Sequence, residues 1–284
     1  MIELPDPVSI SRVADWLELS VGTTCEGLSK AATASVVESV KGEEPAESFI
    51  IDVWRELEYR HGLYQNPCFE VRDRAIEPRA NAEPPAEYLA CLLWSLFGVQ
   101  GVTQYPGKLF ERITCEAVRR YLSGNAFVFG WPSEPTTNDD GKESQIKRKI
   151  KKVADDLGEK FIEAPRPQFN DRGVDVIGWV PFTKGRSGQV VILLQCTAGR
   201  DWKIKSPVPL GSWREYIHWS ASPIRGFAIP AIVKERDWHE SSKDKGMIFD
   251  RARIVNLLPT RTDDKELADE LDTWVTQALA DVET

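Results

Sequence analysis

The spacing of apolar positions changes character along the chain. From Ser9 to about Val40, Val13, Trp16, Leu17 and Leu19 form an imperfect helical face, which predicts a helix broken by Lys41-Gly-Glu-Glu-Pro45. A second helix is predicted from Ala46 to about His61, where Phe49, Ile50, Val53, Trp54 and Leu57 recur at helical spacing. Cys68 to Ile76 alternates as a strand does, and Glu83-Pro-Pro85 leads into an apolar helix from Ala86 to Phe97 that ends near Gly98. From Pro106 helices and strands alternate, the mark of an α/β layer structure. Helices are predicted from about Gly107 to Ser123 and, from Ile146, Ile150, Val153, Leu157 and Phe161, in the segment after the Pro/Thr/Asn/Asp-rich loop. Strands are predicted over Gly173 to Val180 and Gln189 to Thr197, joined by a Thr-Lys-Gly-Arg-Ser-Gly turn, and over Arg225 to Val233 and Arg253 to Leu258. Asp264 to Ala280 reads as a closing helix, and no internal repeat is visible.

The chain has 284 residues, 42% of them hydrophobic, enough for a substantial core. No run approaches the roughly 18 apolar residues of a membrane-spanning helix, and Met1 to Ile10 has neither a basic start nor an apolar signal core. The expectation is a cytoplasmic protein without a membrane partner. The five cysteines are scattered, with no CxxC or Cys/His ligand spacing, and three histidines leave little material for a histidine-built metal site or a Ser/His/Asp hydrolase. The net charge of −8 argues against a broad basic surface for nucleic acid. A local basic run, Lys147-Arg148-Lys149 with Lys151 and Lys152, is the candidate contact, against its reading as a solvated helix face. The ten tryptophans, with Trp202, Trp213 and Trp219 close together, read as core before they read as a stacking surface for bases.

Candidate chemistry enters where polar residues interrupt apolar strands. Val190 to Leu194 is apolar on both faces, as in a covered sheet, and Gln195 interrupts it. Alternation puts Val191, Leu193, Gln195 and Thr197 on one face, and Asp175 with Ile177 and Trp179 on one face of the preceding strand. A hairpin brings Asp175 and Gln195 together, and a carboxylate there needs a partner such as a divalent cation. Glu111 falls with Cys115, Val118 and Leu122 on the apolar side of its helix, whereas Glu116 falls among Arg112, Arg119 and Arg120. The competing explanation for Glu111 is a helix-start glutamate favoured by the dipole, and for Asp171 an ordinary turn former.

The segment Asn170-Asp-Arg-Gly-Val-Asp-Val-Ile-Gly-Trp179, followed by Val191-Ile-Leu-Leu-Gln-Cys-Thr197, resembles the signature of Mrr-like restriction endonucleases in the PD-(D/E)xK superfamily. Asp171, Gly173 and Asp175 match the first block, Gln195 the start of the Q-x-K block, and Phe110-Glu111 the earlier helix pair. The resemblance covers Leu109 to Lys205 and implies a restriction-endonuclease-like core, an α/β fold with a central mixed sheet flanked by helices, over residues 101–284. Residues 1–100 form a mainly helical N-terminal extension.

By that resemblance the protein is a metal-dependent DNA endonuclease of a prokaryotic restriction or antiviral defence system. Glu111, Asp175 and Gln195 hold Mg²⁺ or Mn²⁺, which lowers the pKa of its bound water and neutralises charge on the phosphoryl oxygens. Thr197 stands where the family has lysine. Lys203 and Lys205 are the nearest replacements, and Asp171, Lys147, Arg148, Lys151 and Arg200 are candidate nucleic-acid contacts. The expected partners are DNA, a helicase or ATPase that adds grip, and a second copy, since double-strand cleavage calls for two active sites. The alternative is an inactive restriction-like domain that binds nucleic acid or a partner protein, which Thr197 and the acidic charge favour.

Overall fold

The computed structural model describes residues 2–98, 105–129, 141–163, 172–258, 262 and 264–282. The N-terminal region is mainly helical, but the first expected helix is two. Ser9 caps α1 (Ile10–Thr24) by accepting from the Arg12 N–H at 3.3 Å, and Cys25 ends it in the left-handed conformation, φ 56°. After β1 (Leu28–Ser29), the Ser29 hydroxyl starts α2 (Lys30–Lys41) by accepting from Ala32 N at 3.1 Å. The apolar face fades into Thr, Ser and Ala here, so the restart is written in the caps and not in the period. α3 (Glu47–Leu63) follows, and the expected strand over Cys68 to Ile76 is a hairpin of β2 (Phe69–Val71) and β3 (Ala75–Pro78), with β1 on the far side of β3. α4 (Ala86–Phe97) has the expected bounds.

The second half begins with α5 (Tyr105–Leu122), β4 (Asn125–Val128), α6 (Gly141–Leu157) and β5 (Lys160–Phe161). Gly158, at φ 65°, ends α6 and sends Phe161 into β5, outside the helix it was expected to extend. Next come β6 (Val176–Val180), β7 (Val190–Cys196), α7 (Leu210–Tyr216), β8 (Ile217–His218) and β9 (Ile224–Ala228). α8 (Glu235–Lys245), β10 (Met247–Phe249), α9 (Arg251–Leu257) and α10 (Lys265–Val282) complete the described elements. Arg253 to Leu258, expected as a strand, lies largely in α9. Asp250 accepts the Arg253 N–H at 3.1 Å, an N-cap that nucleates helix in a run too short for its period to decide.

The central sheet has five strands in the order β10-β9-β7-β6-β4. β4, β6 and β7 are antiparallel neighbours, while β7, β9 and β10 run parallel, so the sheet is mixed as expected. Val176, Ile192 and Leu194 point into a cluster shared with α5 and the N-terminal helices, including Trp16, Leu17 and Trp94. Ile177, Trp179, Val191 and Leu193 point the other way, against Ile150, Val153 and Leu157 of α6 and Trp213 and Tyr216 of α7. Burial on both faces explains why β7 reads as an unbroken apolar run. Gly178 lets α5 lie against the sheet, because a Cβ there would stand 2.5 Å from Val118 Cγ1.

Below the first cluster lies an ionic network that joins distant parts of the chain. The guanidinium of Arg60, 1% exposed, donates to Asp15 at 2.6 Å, Glu18 at 2.8 Å and Glu56 at 2.8 Å. Arg251, fully buried, donates to the same Asp15 oxygen at 2.8 Å and to the Tyr64 hydroxyl at 2.8 Å. Tyr64 and Tyr88 donate to Glu18 Oε2 at 3.0 and 2.6 Å, and Ser95 to Asp15 Oδ2 at 2.6 Å. Burial by itself would raise the Asp15 pKa, but Arg251 and Arg60 more than offset it and hold the carboxyl below its ordinary value.

Removing one partner leaves a buried charge uncompensated, so Arg251→Met should cost about 3–5 kcal/mol, read as a lower urea midpoint. The Asp15 pKa is lower folded than unfolded. Its stabilisation is therefore present above the unfolded value of about 3.9 and is lost as pH falls through the folded value. Asp15→Asn should flatten that acid limb in urea titrations across pH, and an unchanged limb would count against the assignment.

Candidate active site

The β6–β7 hairpin sets the site. Val176 pairs with Leu194, so continuing the register places Asp175 opposite Gln195. Asp175 N–H still donates to the Leu194 carbonyl at 2.9 Å, and its own carbonyl accepts from Phe129 N at 2.8 Å. Past the last paired residues the side chain takes over from the backbone, and Asp175 Oδ2 accepts the Cys196 N–H at 2.8 Å. The carboxylate is thereby fixed at the end of the sheet.

Gln195 continues the Val191–Leu193 face of β7, and its Oε1 is buried without a hydrogen-bond partner among the described residues. Gly173, at φ 74°, lies over this amide, and a Cβ there would meet Gln195 Nε2 at 3.3 Å. The glycine of the first motif block thus serves both the turn and the close approach to the amide.

Glu111 is 7% exposed on the inward side of α5. Lys108, one turn earlier, donates to both its carboxylate oxygens at 2.8 Å. The Cys196 thiol records the proximity of the two acids: burial first, then Asp175 and Glu111, push its pKa well above the ordinary thiol value. Asp175 and Glu111 therefore lie around the end of β7, with Lys108 as a cation that sequence reasoning passed over. Its signal was the Lys-x-x-Glu spacing at the start of α5.

The donor set of two carboxylates and one amide oxygen suits a hard cation such as Mg²⁺ or Mn²⁺, and the orphaned Gln195 Oε1 supplies a buried acceptor in need of one. Among the described residues no three His, Cys, Asp or Glu side chains converge on a metal position, so the amide has to serve as a ligand in any three-residue set.

The other candidates are distributed as follows. Lys203 lies in the short 3₁₀ turn Trp202–Ile204, 3.4 Å from Asp237 of α8 and 5.7 Å from the Trp202 ring centroid. Lys205 is exposed, and its carbonyl accepts from the Lys245 ammonium. Arg200 is exposed in the loop after β7, beside Arg12. Lys147, Arg148 and Lys151 are exposed on α6, while Ile150 and Val153 seat that helix on the sheet. Trp213 is core and Trp202 is 8% exposed. Asp171 lies outside the described residues.

Thiol chemistry offers a check on this geometry. Burial raises the Cys91 and Cys115 pKa values to about 12 and protects Cys196, whereas Cys25 is exposed. Iodoacetamide should label Cys25 of the native protein and reach Cys91, Cys115 and Cys196 only after denaturation, as read by peptide mass spectrometry. Fast native labelling of Cys196 would show that the acids do not enclose the end of β7.

No protein-family model matches the chain, and no curated protein matches it. Among solved structures there is weak similarity to the restriction endonuclease FokI, at 10% identity and a TM-score of 0.20, covering 87% of this chain and 43% of that one. FokI bound to DNA is similar at the same identity and TM-score, covering 88% of this chain and 44% of that one. The chain thus spans less than half the length of that enzyme.

Proposed function

We propose that the protein is a divalent-metal-dependent nuclease that hydrolyses phosphodiester bonds of DNA at the end of the β6–β7 hairpin. The observation that carries this reading is the buried Gln195 Oε1, without a hydrogen-bond partner among the described residues, across from Asp175 at the sheet end. Asp175, Gln195 and Glu111 would hold Mg²⁺ or Mn²⁺, which would supply charge to neutralise phosphoryl oxygens and to acidify a bound water.

The protein's own contribution is positional. The Cys196 N–H holds Asp175, Gly173 leaves room for the Gln195 amide, and α5 presents Glu111 with Lys108. In the hydrolysis a water oxygen bonds to phosphorus as one ester P–O bond breaks, and negative charge grows on the phosphoryl group. Lys108 holds Glu111, so it takes the role of the lysine that Thr197 replaces. Lys203 and Lys205 are held toward α8 by the contacts of their own segment. A second reading, an inactive domain that binds DNA, is favoured by the bidentate closure of Glu111 by Lys108.

Plasmid cleavage with Mg²⁺ or Mn²⁺ tests the assignment. Asp175→Ala should abolish cutting with the fold retained, and a folded variant that cuts at the wild-type rate would remove the site from consideration. Lys108→Met should lower the rate by about 10²-fold or more, while Lys203→Met and Lys205→Met leave it near wild type. The inactive reading predicts that wild type binds the plasmid without cutting it. Gln195→Glu should tighten Mn²⁺ binding in calorimetry by adding a charge to the ligand set, and unchanged affinity would mean that Gln195 is not a ligand.

A further inference from the structure

A second cavity, of about 440 Å³, lies between the start of α1, the loop after β7 and the loop leading into α8. Its floor reaches the buried ionic network through Asp15, Arg60 and Ser95. That floor adds no free negative charge, because Asp15 is already engaged by Arg60 and Arg251 at 2.6 and 2.8 Å and by Ser95 at 2.6 Å.

The walls differ in charge from the protein as a whole. Arg12, Arg200, Lys203 and Lys234 line the cavity, and the only other ionisable wall residue is Asp237, 3.4 Å from Lys203. Among the described residues Arg12, Arg200 and Lys234 make no ion pair. With the floor included, the lining holds five cations, Arg12, Arg60, Arg200, Lys203 and Lys234, against two carboxylates, Asp15 and Asp237, a local excess of positive charge in a chain of net charge −8.

Arg12 is anchored by its own segment, and Arg200 lies near the end of α4. Arg12 Nη1 donates to the Pro7 carbonyl at 3.1 Å, and Arg200 Nε would lie 3.7 Å from a Cβ on Gly98 at the end of α4. Their closeness is felt: burial first, and then Arg200, lower the Arg12 pKa, with Asp15 and Asp6 opposing in part. Two guanidiniums side by side repel each other, and an anion between them relieves that repulsion.

The helix α8 adds to this. Lys234 is its N-cap and provides no side-chain cap, so the positive end of an 11-residue helix opens beside Lys234, although Glu235 and Asp237 in the first turn offset part of it. Planar guanidiniums, an ammonium and a helix N-terminus together match the oxygens of a phosphate ester. The cavity exceeds the needs of a lone phosphate and falls in the range of small-molecule sites, with Trp202 as a flat wall.

We propose that this cavity binds a phosphate-bearing ligand, either the terminal phosphate of a nucleic-acid strand or a free nucleotide, through Arg12, Arg200 and Lys234. The proposal stands apart from the acidic site. It is tested in EDTA, where no metal-dependent cleavage occurs.

The probes are ATP by calorimetry and a fluorescent single-stranded oligonucleotide, with or without a 5′-phosphate, by anisotropy. The wild type should bind at least one probe more tightly than about 1 mM. Arg12→Gln/Arg200→Gln should weaken that binding by about tenfold or more, Lys234→Gln should weaken it less, and Asp175→Ala should leave it unchanged. Dependence on the 5′-phosphate identifies a strand end, and ATP binding without that dependence identifies a nucleotide. The double variant removes two like charges, so its thermal midpoint should not fall; if it does, Lys234→Gln alone decides. Binding of neither probe, or equal binding by a folded double variant and wild type, would overturn the proposal, and loss of cleavage in Asp175→Ala would not affect it.

Discussion

The buried pairing of Arg60 and Arg251 with Asp15 and Glu18 is the constraint on which the architecture rests. None of these groups would tolerate its position alone, since an isolated charge in an apolar interior costs several kcal/mol. Together they join α1, α3 and α9, while Tyr88 and Ser95 add α4. The mainly helical N-terminal region is therefore bolted to the end of the mixed sheet by directional bonds as well as by the apolar cluster around Trp16 and Trp94. Hydrophobic contact alone would allow the helices to slide; two guanidiniums with fixed forks do not.

The two candidate sites lie at one end of the sheet, and the cavity rests on that rigid base. The acidic site uses the end of the β6–β7 hairpin, where a register ends and a side chain replaces a backbone acceptor. The cationic cavity uses the same end of β7 one loop further on, and its floor is the ionic network itself. The saturated ionic network thus floors the cavity, while a separate set of cations, Arg12, Arg200, Lys203 and Lys234, stands around it.

The parts of this arrangement that could be read in the sequence are those governed by a short period. The two-residue alternation of Val191, Leu193 and Gln195, with the Gly-rich turn before it, is enough to bring Gln195 opposite Asp175. The wheel position of Glu111 likewise anticipates its burial. Short elements escaped, because β4, β10 and α9 have four, three and seven residues and leave too few positions for a period to declare itself. Side-chain partnership escaped for a different reason. Lys108 on Glu111 is local but reads as an ordinary helix-surface pair, while Arg12 beside Arg200 depends on the whole topology.

The long reach of the ionic network also sets an order of events during synthesis. Asp15 waits for a guanidinium 236 residues further along the chain, and until Arg251 leaves the ribosome three carboxylates, Asp15, Glu18 and Glu56, share the one arginine Arg60. At roughly 5–20 residues per second that interval is on the order of 10–50 s. For that time Asp15 and Glu18 lack their second guanidinium, and the network closes only once Arg251 has been made.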